Sequence, residues 1–498
     1  MKKTNMGELF ENRIEVSDSD RALLTGFFSE FDSHCRLAVD EKKRMRRDFE
    51  WAIEYYLSVG VSVSDAVQRM DVKNLAGFYV RPPVLWYALD NAAKIYPLSM
   101  EHGRMTVFRM SVYLKGAVVP ELLQVALHFT IKRFPSFATT LKKGFFWHYL
   151  DTSKMRYVIE PESDAPCKPL PVSHSFSQSF RVMYFANRIS VEFFHGLTDG
   201  AGGMTFLKVL VSEYLRLSGV EIARDDTLWD VNEIPQNEEF ENEFRNVERR
   251  KSGSGFVQKK ALQMSGKISR RKIYRILHFK MDASKLKEAS RKRGCTVTEY
   301  LVWTLLKSAR AATDEMKGDL NLQVPVNMRK LYPSKTVRNF AMYCGIRIPI
   351  DKMQDDEWLV KEISKQMKEK TSREAMSEMV TSTKNLVGSL CWVPLFLKIP
   401  LIKLVYSFLS DRLFTLTLSN LGVVQMPKGY EAHIDSMDFA LGISPVNRAS
   451  CGMVTYGNSA VLTFTKMTAD PTFEEHALML LNRDGVDVRV EGSMSYES

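Results

Sequence analysis

The chain has 498 residues, which is long for one hydrophobic core, so we expect two or three packed units. Hydrophobic residues make up 45% of the chain and charged residues 26%, which are ordinary values for a soluble globular protein. The formal net charge of +10 favours anionic partners such as phosphates, nucleic acid or lipid headgroups, although a solvated basic surface is the simpler explanation.

The cysteines are widely scattered and form no C-x-x-C pair. This spacing argues against a metal cluster and against a disulfide framework, and it favours a reducing interior. The first residues, Met1 to Asn5, lack the apolar stretch that a secretory signal needs. We therefore expect a cytoplasmic protein. The six cysteines are Cys35, Cys167, Cys295, Cys344, Cys391 and Cys451.

Residues 1–84 are predicted to form a helical N-terminal extension. Apolar positions recur at helical spacing between Arg36 and Leu57, among dense charge that includes a basic run at 42–47. The segment Val61 to Asp65 offers a cap for a second, short helix. Two helices after a basic run would fit a helix-turn-helix that binds DNA. An accessory extension that packs on the main body is the simpler interpretation, and we expect no nucleic-acid partner.

From about Arg104 the pattern changes to mixed α/β, and residues 85–245 are predicted to form a first lobe. Alternating, β-rich residues predict a strand over 106–115. Pro120 and Glu121 suit the first turn of a helix that runs to about Arg133. Further strands are predicted over 145–150, 180–186 and 189–194. A helix follows them, with apolar residues at helical spacing from Met204 to Leu215.

The stretch from Asp225 to Lys272 is acidic first and then basic and rich in small residues. It predicts a flexible crossover between two lobes, with residues 246–271 as the linker. Residues 272–498 are predicted to form the second lobe. Its first strand spans 273–279 and leads into a helix capped by Asp282, and a further helix opens with a capping box at Thr296–Glu299.

The stretch from Leu386 to Ser410 is the most apolar part of the chain. Lys398 and Lys403 interrupt it, and two prolines break any continuous helix. A membrane-spanning helix needs about 20 nearly uncharged residues, so this stretch does not predict a span. We expect a buried or interfacial helix pair, with contact at a membrane surface and peripheral membrane association as the alternative.

The segment 191–203 carries the strongest functional signal. A hydrophobic run delivers His195 to a turn, and Asp199 follows four residues later beside a glycine cluster. An imidazole at the end of a buried strand is suited to take a proton from an alcohol or amine near neutral pH. The glycines lack the G-K-[ST] ending of a phosphate-binding loop, and no G-x-S-x-G elbow is present. His195 and Asp199 have no credible third ligand, so no metal is expected.

This segment resembles the H-H-x-x-x-D-G motif of the acyltransferase superfamily that includes chloramphenicol acetyltransferase, nonribosomal peptide condensation domains and alcohol acetyltransferases. Phe194 stands at the first histidine of the motif, and His195 at the second, the family's base. The run from Arg133 to Phe137 and the Ser419 segment are most similar to bacterial alcohol acetyltransferase-like members. The resemblance implies an α/β (α+β) fold with two chloramphenicol-acetyltransferase-like lobes that form a tunnel with His195 at its middle. A continued strand pleat would turn Phe194 into a lobe and His195 towards the channel.

The resemblance also implies roles for residues near the base. The aspartate of the motif, here Asp199 beside Gly200, forms a structural ion pair with an arginine of the other lobe, and Arg329 is the matching arginine. The alternative is that Asp199 orients the imidazole as in a Ser-His-Asp triad. Ser419 or Asn420 would donate to the oxyanion, unless Ser-Asn-x-Gly is a plain strand-ending turn. The run 338–340 is also similar to the family, but no chemistry is assigned to it.

Three interpretations of function remain. The first is an acyl-CoA-dependent O-acyltransferase in which His195 is the general base and acyl-CoA is a co-substrate, with no bound cofactor. The second is a condensing enzyme that takes its acyl group from an acyl carrier protein and forms esters or amides. The third is a non-catalytic binding protein that retains the fold. The acceptor would be a small-molecule alcohol or amine, and we expect a monomer.

Overall fold

The computed structural model describes residues 10–75, 86–98, 100, 105–152, 155–170, 178–221, 225–251, 259–268, 274–400, 413–442 and 448–493. The helices are α1 (Asp18–His34), α2 (Val39–Ser58), α3 (Val63–Arg69), α4 (Ile95–Leu98), α5 (Pro120–Arg133), α6 (Gly200–Leu217), α7 (Ala283–Lys292), α8 (Val297–Ala311), α9 (Asp356–Lys370), α10 (Arg373–Ser389) and α11 (Thr472–Arg483). The strands are β1 (Trp86–Ala88), β2 (Val107–Leu114), β3 (Thr139–Lys143), β4 (His148–Thr152), β5 (Ile159–Pro161), β6 (Phe180–Phe185), β7 (Arg188–Phe194), β8 (Arg275–Asp282), β9 (Asp319–Asn327), β10 (Ala341–Pro349), β11 (Leu416–Val424), β12 (Ile434–Leu441), β13 (Ala449–Tyr456), β14 (Ser459–Lys466) and β15 (Val488–Gly492).

The N-terminal helices α1 to α3 confirm the predicted helical character, and they pack on the main body. Ser62 caps α3 through its side chain, as the sequence predicts. Phe49 of α2 stacks on His128 of α5 with ring centroids 6.0 Å apart. The Asp48 carboxylate lies 2.7 Å from His128 Nε2, and Tyr56 donates a hydrogen bond to the last residue of α6. The predicted boundary at residue 84 lies outside the described residues.

The first large sheet has five strands in the order β12-β2-β7-β6-β5. Strands β2, β6 and β7 and helices α5 and α6 confirm the sequence predictions for this part of the chain. Strand β12 comes from the C-terminal half and pairs antiparallel with β2, with Met437 opposite Val112. The two halves of the chain are therefore joined through one shared sheet. The domain boundaries stay predictions.

The sequence predicts a strand over 145–150, and this prediction is wrong for residues 145–147. Strand β4 begins at His148, and Gly144 donates a backbone hydrogen bond to Trp147 O that closes a turn. Residues 144–147 are therefore the tip of the β3–β4 hairpin. This hairpin and β1 form a three-stranded sheet in the order β1-β4-β3.

The second large sheet has seven strands in the order β10-β9-β11-β13-β14-β8-β15. Helix α8 is largely buried beside it, and its Trp303 is fully buried. The predicted Asp282 cap is confirmed, because its side chain accepts hydrogen bonds from Ser284 and Lys285. The predicted capping box of Thr296 and Glu299 is confirmed as well. Residue 273, where the first strand of this half was expected to begin, lies outside the described residues.

The prediction of a flexible crossover from Asp225 onwards is wrong for the residues up to Asn246. Two short 3-10 helices, Asn237–Phe240 and Glu243–Asn246, pack between the halves and bury Phe240 and Phe244. Glu239 accepts a hydrogen bond from Arg133 Nη2 at 2.8 Å and its backbone oxygen accepts one from Val337. Apolar side chains spaced among the acidic ones anchor this stretch. Residues 252–258 of the predicted linker lie outside the described residues.

The apolar stretch 386–410 is only partly described. Helix α10 ends inside it at Ser389, and residues 395–400 are helical again. Among the residues that the structure describes, no helix combines the length and the apolar character that crossing a membrane requires. Residues 401–410 lie outside the described part. The six cysteines are all free thiols.

Candidate functional site

His195 directly follows strand β7, where the chain leaves the sheet. Its backbone N–H donates to Thr106 O at 2.9 Å, which prolongs the pairing of β7 with β2 by one residue. Phe194 is fully buried in the core, whereas His195 is partly exposed. A Cβ at Gly196 would overlap the Phe194 ring. The glycine after the histidine therefore makes room for the phenylalanine that replaces the first histidine of the motif.

Two aromatic rings and one amide enclose the His195 imidazole. Tyr96 of α4 stacks on it with centroids 4.6 Å apart and an interplanar angle of 21°. Phe108 of β2 meets it edge-on at 5.2 Å. The Oδ1 atom of Asn339, which lies between β9 and β10, is 3.1 Å from Nδ1. The imidazole thus belongs to the N-terminal half, and its hydrogen-bond partner belongs to the C-terminal half.

The Asn339 contact determines which ring nitrogen is available for chemistry. An amide oxygen only accepts hydrogen bonds, so with Oδ1 facing the ring the proton resides on Nδ1 and Nε2 carries the free lone pair. Burial lowers the pKa of His195 below its usual 6.5, and a hydrogen bond to its own backbone, the charge of Asp199 and the hydrogen bond to Asn339 oppose that shift only in part. The ring is therefore neutral near pH 7, in the form that can accept a proton.

Asn339 is the site residue to which the sequence analysis assigned no chemistry. Its side chain is 98% buried, since its exposed fraction is 2%, and its Nδ2 atom has no hydrogen-bond partner among the described residues. A buried amide N–H without a partner costs free energy, and such groups concentrate where a ligand or water completes the site. The position of Asn339 in the family-like run 338–340 was the signal in the sequence.

Asp199 caps helix α6 and also anchors the other half of the chain. Its Oδ1 accepts hydrogen bonds from the backbone of Ala201 and Gly202. Its Oδ2 accepts from Phe340 N at 2.7 Å and lies 2.7 Å from Arg329 Nη1. The ion pair that the resemblance implies is thus present in the structure. The imidazole is held by Asn339 instead, which argues against a triad-like orientation by Asp199.

Arg329 uses its remaining N–H groups to hold the segment that carries Asn339. Nε and Nη2 donate to Thr336 O at 3.0 and 2.8 Å, and Nη2 also donates to Arg338 O at 2.6 Å. On the facing side, a Cβ at Gly202 would overlap Val337 O. A glycine is therefore required where helix α6 meets this segment. Asp199, Arg329 and Gly202 together fix the position of Asn339 relative to His195.

The structure separates the two residues that were predicted to stabilise an oxyanion. Both lie within β11, which continues to Val424, so the interpretation of Ser-Asn-x-Gly as a strand-ending turn is wrong. Asn420 Nδ2 donates to Thr298 of α8, and its Oδ1 accepts from Gly422 N. Strand alternation turns Ser419 away from Asn420, but the pairing of β11 with β13 shifts register between Asn420 and Val423, so the alternation does not extend to Leu421. A Cβ at Gly200 would lie 2.6 Å from Leu421 Cδ2, so Leu421 packs against the start of α6.

A second buried ion pair lies behind the site and was not foreseen from the sequence. Arg338 Nη2 is 3.8 Å from Asp90 Oδ2, and it also donates to Ala88 O. Burial raises the pKa of Asp90 to about 6, against the opposing charge of Arg338. Asp90 accepts a hydrogen bond from Ala93 N at the turn before α4. The pair therefore ties the segment that carries Tyr96 to the segment that carries Asn339.

No protein-family model matches the sequence, and no curated protein matches it. Solved structures do match the fold. The chain is similar to the trichothecene 15-O-acetyltransferase of Fusarium sporotrichioides, with a TM-score of 0.55, 10% identity and coverage of 80% of this chain and 94% of that one. It is also similar to the first condensation domain of the calcium-dependent antibiotic synthetase, with a TM-score of 0.54, 11% identity and coverage of 81% and 95%.

A third similar structure is a variant of the starter condensation domain of rhizomide synthetase in complex with C8-CoA. Its TM-score is 0.51, its identity is 11%, and the match covers 80% of this chain and 94% of that one. At these identities the likeness establishes the fold and nothing finer. The chain has the chloramphenicol acetyltransferase-like fold that these solved structures share.

Proposed function

We propose that this protein is an acyltransferase that moves an acyl group from acyl-CoA to the hydroxyl group of a small-molecule acceptor. The observation that carries the proposal is the state of His195. Its Nδ1 is held by Asn339, its pKa is lowered by burial, and it lies where the two halves of the chain meet. A neutral imidazole with a free Nε2 at such a junction suits a general base.

In the proposed reaction, His195 Nε2 takes the proton of the acceptor hydroxyl as its oxygen attacks the thioester carbonyl. The carbonyl oxygen becomes an oxyanion, and the carbonyl carbon becomes tetrahedral. When this intermediate collapses, the C–S bond breaks and the ester forms. The CoA thiolate then takes the proton from the imidazolium. The acceptor oxygen attacks the thioester directly, and the imidazolium gives its proton to the leaving thiolate. The step therefore requires no covalent acyl-enzyme and no metal.

Ser419 is the proposed oxyanion donor. Its side chain points to the face of β11 opposite the Asn420 amide, which is engaged with Thr298 and Gly422. A hydroxyl group aimed at the developing negative charge stabilises the transition state more than the ground state. Asp199 and Arg329 have structural roles in the proposal, because their contacts hold Asn339 and the start of α6 in place.

We further propose that the two halves of the chain form lobes around a tunnel, with donor and acceptor entering from different sides. One chain supplies His195, Asn339 and Ser419, so a monomer contains every group that the reaction uses. The alternative is a condensing enzyme that takes its acyl group from a carrier protein. Similarity to condensation domains favours keeping this alternative, and dependence on a phosphopantetheinylated partner would distinguish it.

Thiol release from a panel of acyl-CoAs with a panel of alcohols and amines tests the proposal. We expect turnover with at least one pair, and we expect His195→Ala to lower kcat/KM by about 10²–10⁴-fold without lowering the Tm. His433→Ala is a matched control, because His433 is also partly exposed but lies before β12. Equal turnover in the wild type and in His195→Ala would rule out the base. If neither the wild type nor His195→Ala turns over any substrate pair but both bind acyl-CoA, the protein is a binding protein.

A further inference from the structure

A group of large apolar side chains is exposed on one side of the molecule, and we call it the apolar patch. Its members come from the tip of the β3–β4 hairpin and from the end of α10 and the residues after it. Trp392 is the most exposed, with 82% of its surface accessible. Single exposed apolar side chains are ordinary, but a cluster that includes an exposed tryptophan is a marker of an interaction site. The members are Phe145 (67% exposed), Leu386 (41%), Trp392, Phe396 (68%) and Leu397 (53%).

The patch is held together as one surface although its two parts lie far apart in sequence. Leu395 N donates to Phe145 O at 2.8 Å. The ring of Phe146 contacts Phe145 at 4.8 Å and Trp392 at 5.9 Å between centroids. Lys398 Nζ donates to Phe146 O and lies 3.3 Å from the centroid of the Trp147 ring. These contacts fix the hairpin tip against the segment 392–398.

The surroundings of the patch carry positive charge without carboxylates in the same segments. Residues 141–150 and 379–400 contain no aspartate and no glutamate, but they contain Lys142, Lys143, Lys384 and Lys398. Burial together with the charges of Lys143 and Lys398 lowers the pKa of His148 to about 4. Burial and the nearby Lys94 lower the pKa of Lys398 to about 8. Burial is the larger cause of both shifts, and the added like charge makes this part of the molecule locally positive, which favours a partner with negative charge.

We propose that the apolar patch docks on a membrane surface that contains anionic phospholipids. Exposed tryptophan, phenylalanine and leucine beside lysines match the boundary between headgroups and acyl chains, where aromatic rings are favoured and basic residues meet lipid phosphates. The aromatic and leucine side chains would enter that boundary, and Lys142 and Lys143, which point to opposite faces of β3, would meet the phosphates on either side of them. An acidic protein, such as a carrier protein, is the competing partner for a basic apolar surface.

Docking there would bring the proposed active site close to lipid-soluble compounds. Lys94 Nζ lies 5.3 Å from the centroid of the Trp147 ring at the hairpin tip. Two residues further along, Tyr96 stacks on His195. The segment 86–98 therefore connects the apolar patch with the imidazole. An apolar acyl donor or acceptor dissolved in the bilayer would meet the protein on this side.

Flotation of the full-length protein with vesicles tests the proposal. We expect binding to phosphatidylcholine vesicles that contain phosphatidylglycerol, with a blue shift of tryptophan emission, and little binding to phosphatidylcholine alone. Trp392→Ser and Phe396→Ser should each weaken binding by about tenfold, since each removes buried apolar area. Lys142→Gln and Lys143→Gln should each weaken it by about fivefold and reduce its salt dependence.

Ile234→Ser is the matched control, because Ile234 is 79% exposed but lies outside the patch. It should bind vesicles like the wild type, and Tm measurements identify any variant that fails to fold. Binding to neither kind of vesicle would overturn the proposal, and so would undiminished binding of the double variant Trp392→Ser/Phe396→Ser. Protection of Trp392 by an acidic carrier protein, with no vesicle binding, would assign the patch to that partner instead.

Discussion

Two histidines of this protein each contact a hydrogen-bonding side chain and an aromatic ring. Comparing them shows which surroundings suit a histidine that anchors the fold and which suit a histidine that acts as a base. His128 is fully buried, with Phe49 stacked on it and Nε2 at 2.7 Å from the Asp48 carboxylate. His195 is partly exposed, with Tyr96 stacked on it and Nδ1 at 3.1 Å from the Asn339 amide. One partner is charged and the other is neutral.

The charge of the partner decides what each imidazole can do. Asp48 is also held by Arg156, with Oδ1 and Oδ2 at 2.6 and 2.5 Å from its guanidinium nitrogens. This ion-pair network joins helix α2 to the main body. Asn339 carries no charge, so it orients the His195 ring without stabilising its protonated form as a carboxylate would. The first region anchors the N-terminal helices, and the second keeps an imidazole neutral and partly accessible.

Removal of the Asp48 carboxylate from the first region should strongly lower stability. Asp48→Ala leaves Arg156 and His128 without their partner, and we expect a loss of about 3 kcal/mol. Burial opposes ionisation of Asp48, but the hydrogen bonds from Arg156 and His128 hold its pKa below the usual 3.8. The stabilisation is therefore present above about pH 4 and is lost as the pH falls further. Thermal unfolding of wild type and variant between pH 3 and 7 measures both effects.

If the Asp48 network only anchors the N-terminal helices, Asp48→Ala should lower stability but not activity. Acyl transfer by the folded fraction of Asp48→Ala, assayed well below its Tm, should match the wild type. Asp20→Ala is a suitable control, because the Asp20 carboxylate is only half-buried and accepts a hydrogen bond from the N-cap Ser17 of α1. A drop in kcat at unchanged Tm would mean that the N-terminal helices take part in the reaction.

Arg329→Ala should affect both stability and activity. It leaves the buried carboxylate of Asp199 without its cation, at a cost of about 3 kcal/mol, and it frees the segment that positions Asn339. We expect a lower Tm together with a lower kcat. Arg347→Ala is the control, since Arg347 forms a half-exposed ion pair at the far end of β10. An unchanged Tm would contradict the structural role of the Asp199–Arg329 pair.

Local sequence signals predicted much of the fold because the interactions concerned are local. The side-chain cap at Asp282 and the capping box at Thr296 need only neighbouring residues, and the structure confirms both. Phe194 is buried as well, but β7 is buried on both faces, so strand alternation alone does not account for its burial. The hairpin tip was missed because its aromatic run has strand-like composition. Its turn is set by the Gly144–Trp147 backbone bond, which composition does not reveal.

The partner of the base could not be predicted, because it depends on how the two halves meet. Asn339 is 144 residues from His195 in sequence. Its position follows from the Arg329 contacts and from the close approach of Val337 to Gly202. The buried Asp90–Arg338 pair was missed for the same reason, since nothing in the run 338–340 indicates that its arginine meets Asp90. The motif located the histidine, and tertiary packing selected the residue that holds it.

Asn339→Asp would place a carboxylate beside His195, as Asp48 lies beside His128. We expect a smaller effect on activity than from Arg329→Ala, and one that shows in the pH dependence. A carboxylate beside Nδ1 stabilises the imidazolium, so the pKa of His195 should rise by about one unit. The base would then be protonated up to a higher pH, and the acid limb of the kcat/KM profile should move upward by about one pH unit. Asn339→Ala should lower kcat by about tenfold. It introduces no charge, so it should not move the acid limb upward as Asn339→Asp does.

The pH profile separates a positioning role for Asn339 from a purely structural one. If Asn339 only filled space, Asp at this position would change the Tm or the level of activity without moving the acid limb. The pKa of His195 can also be followed by NMR on the ¹⁵N-labelled imidazole, which does not depend on turnover. In the wild type it should lie below 6.5, in keeping with the lowered pKa of a half-enclosed ring. A profile that coincides for wild type and Asn339→Asp would show that the amide does not govern the charge of the base.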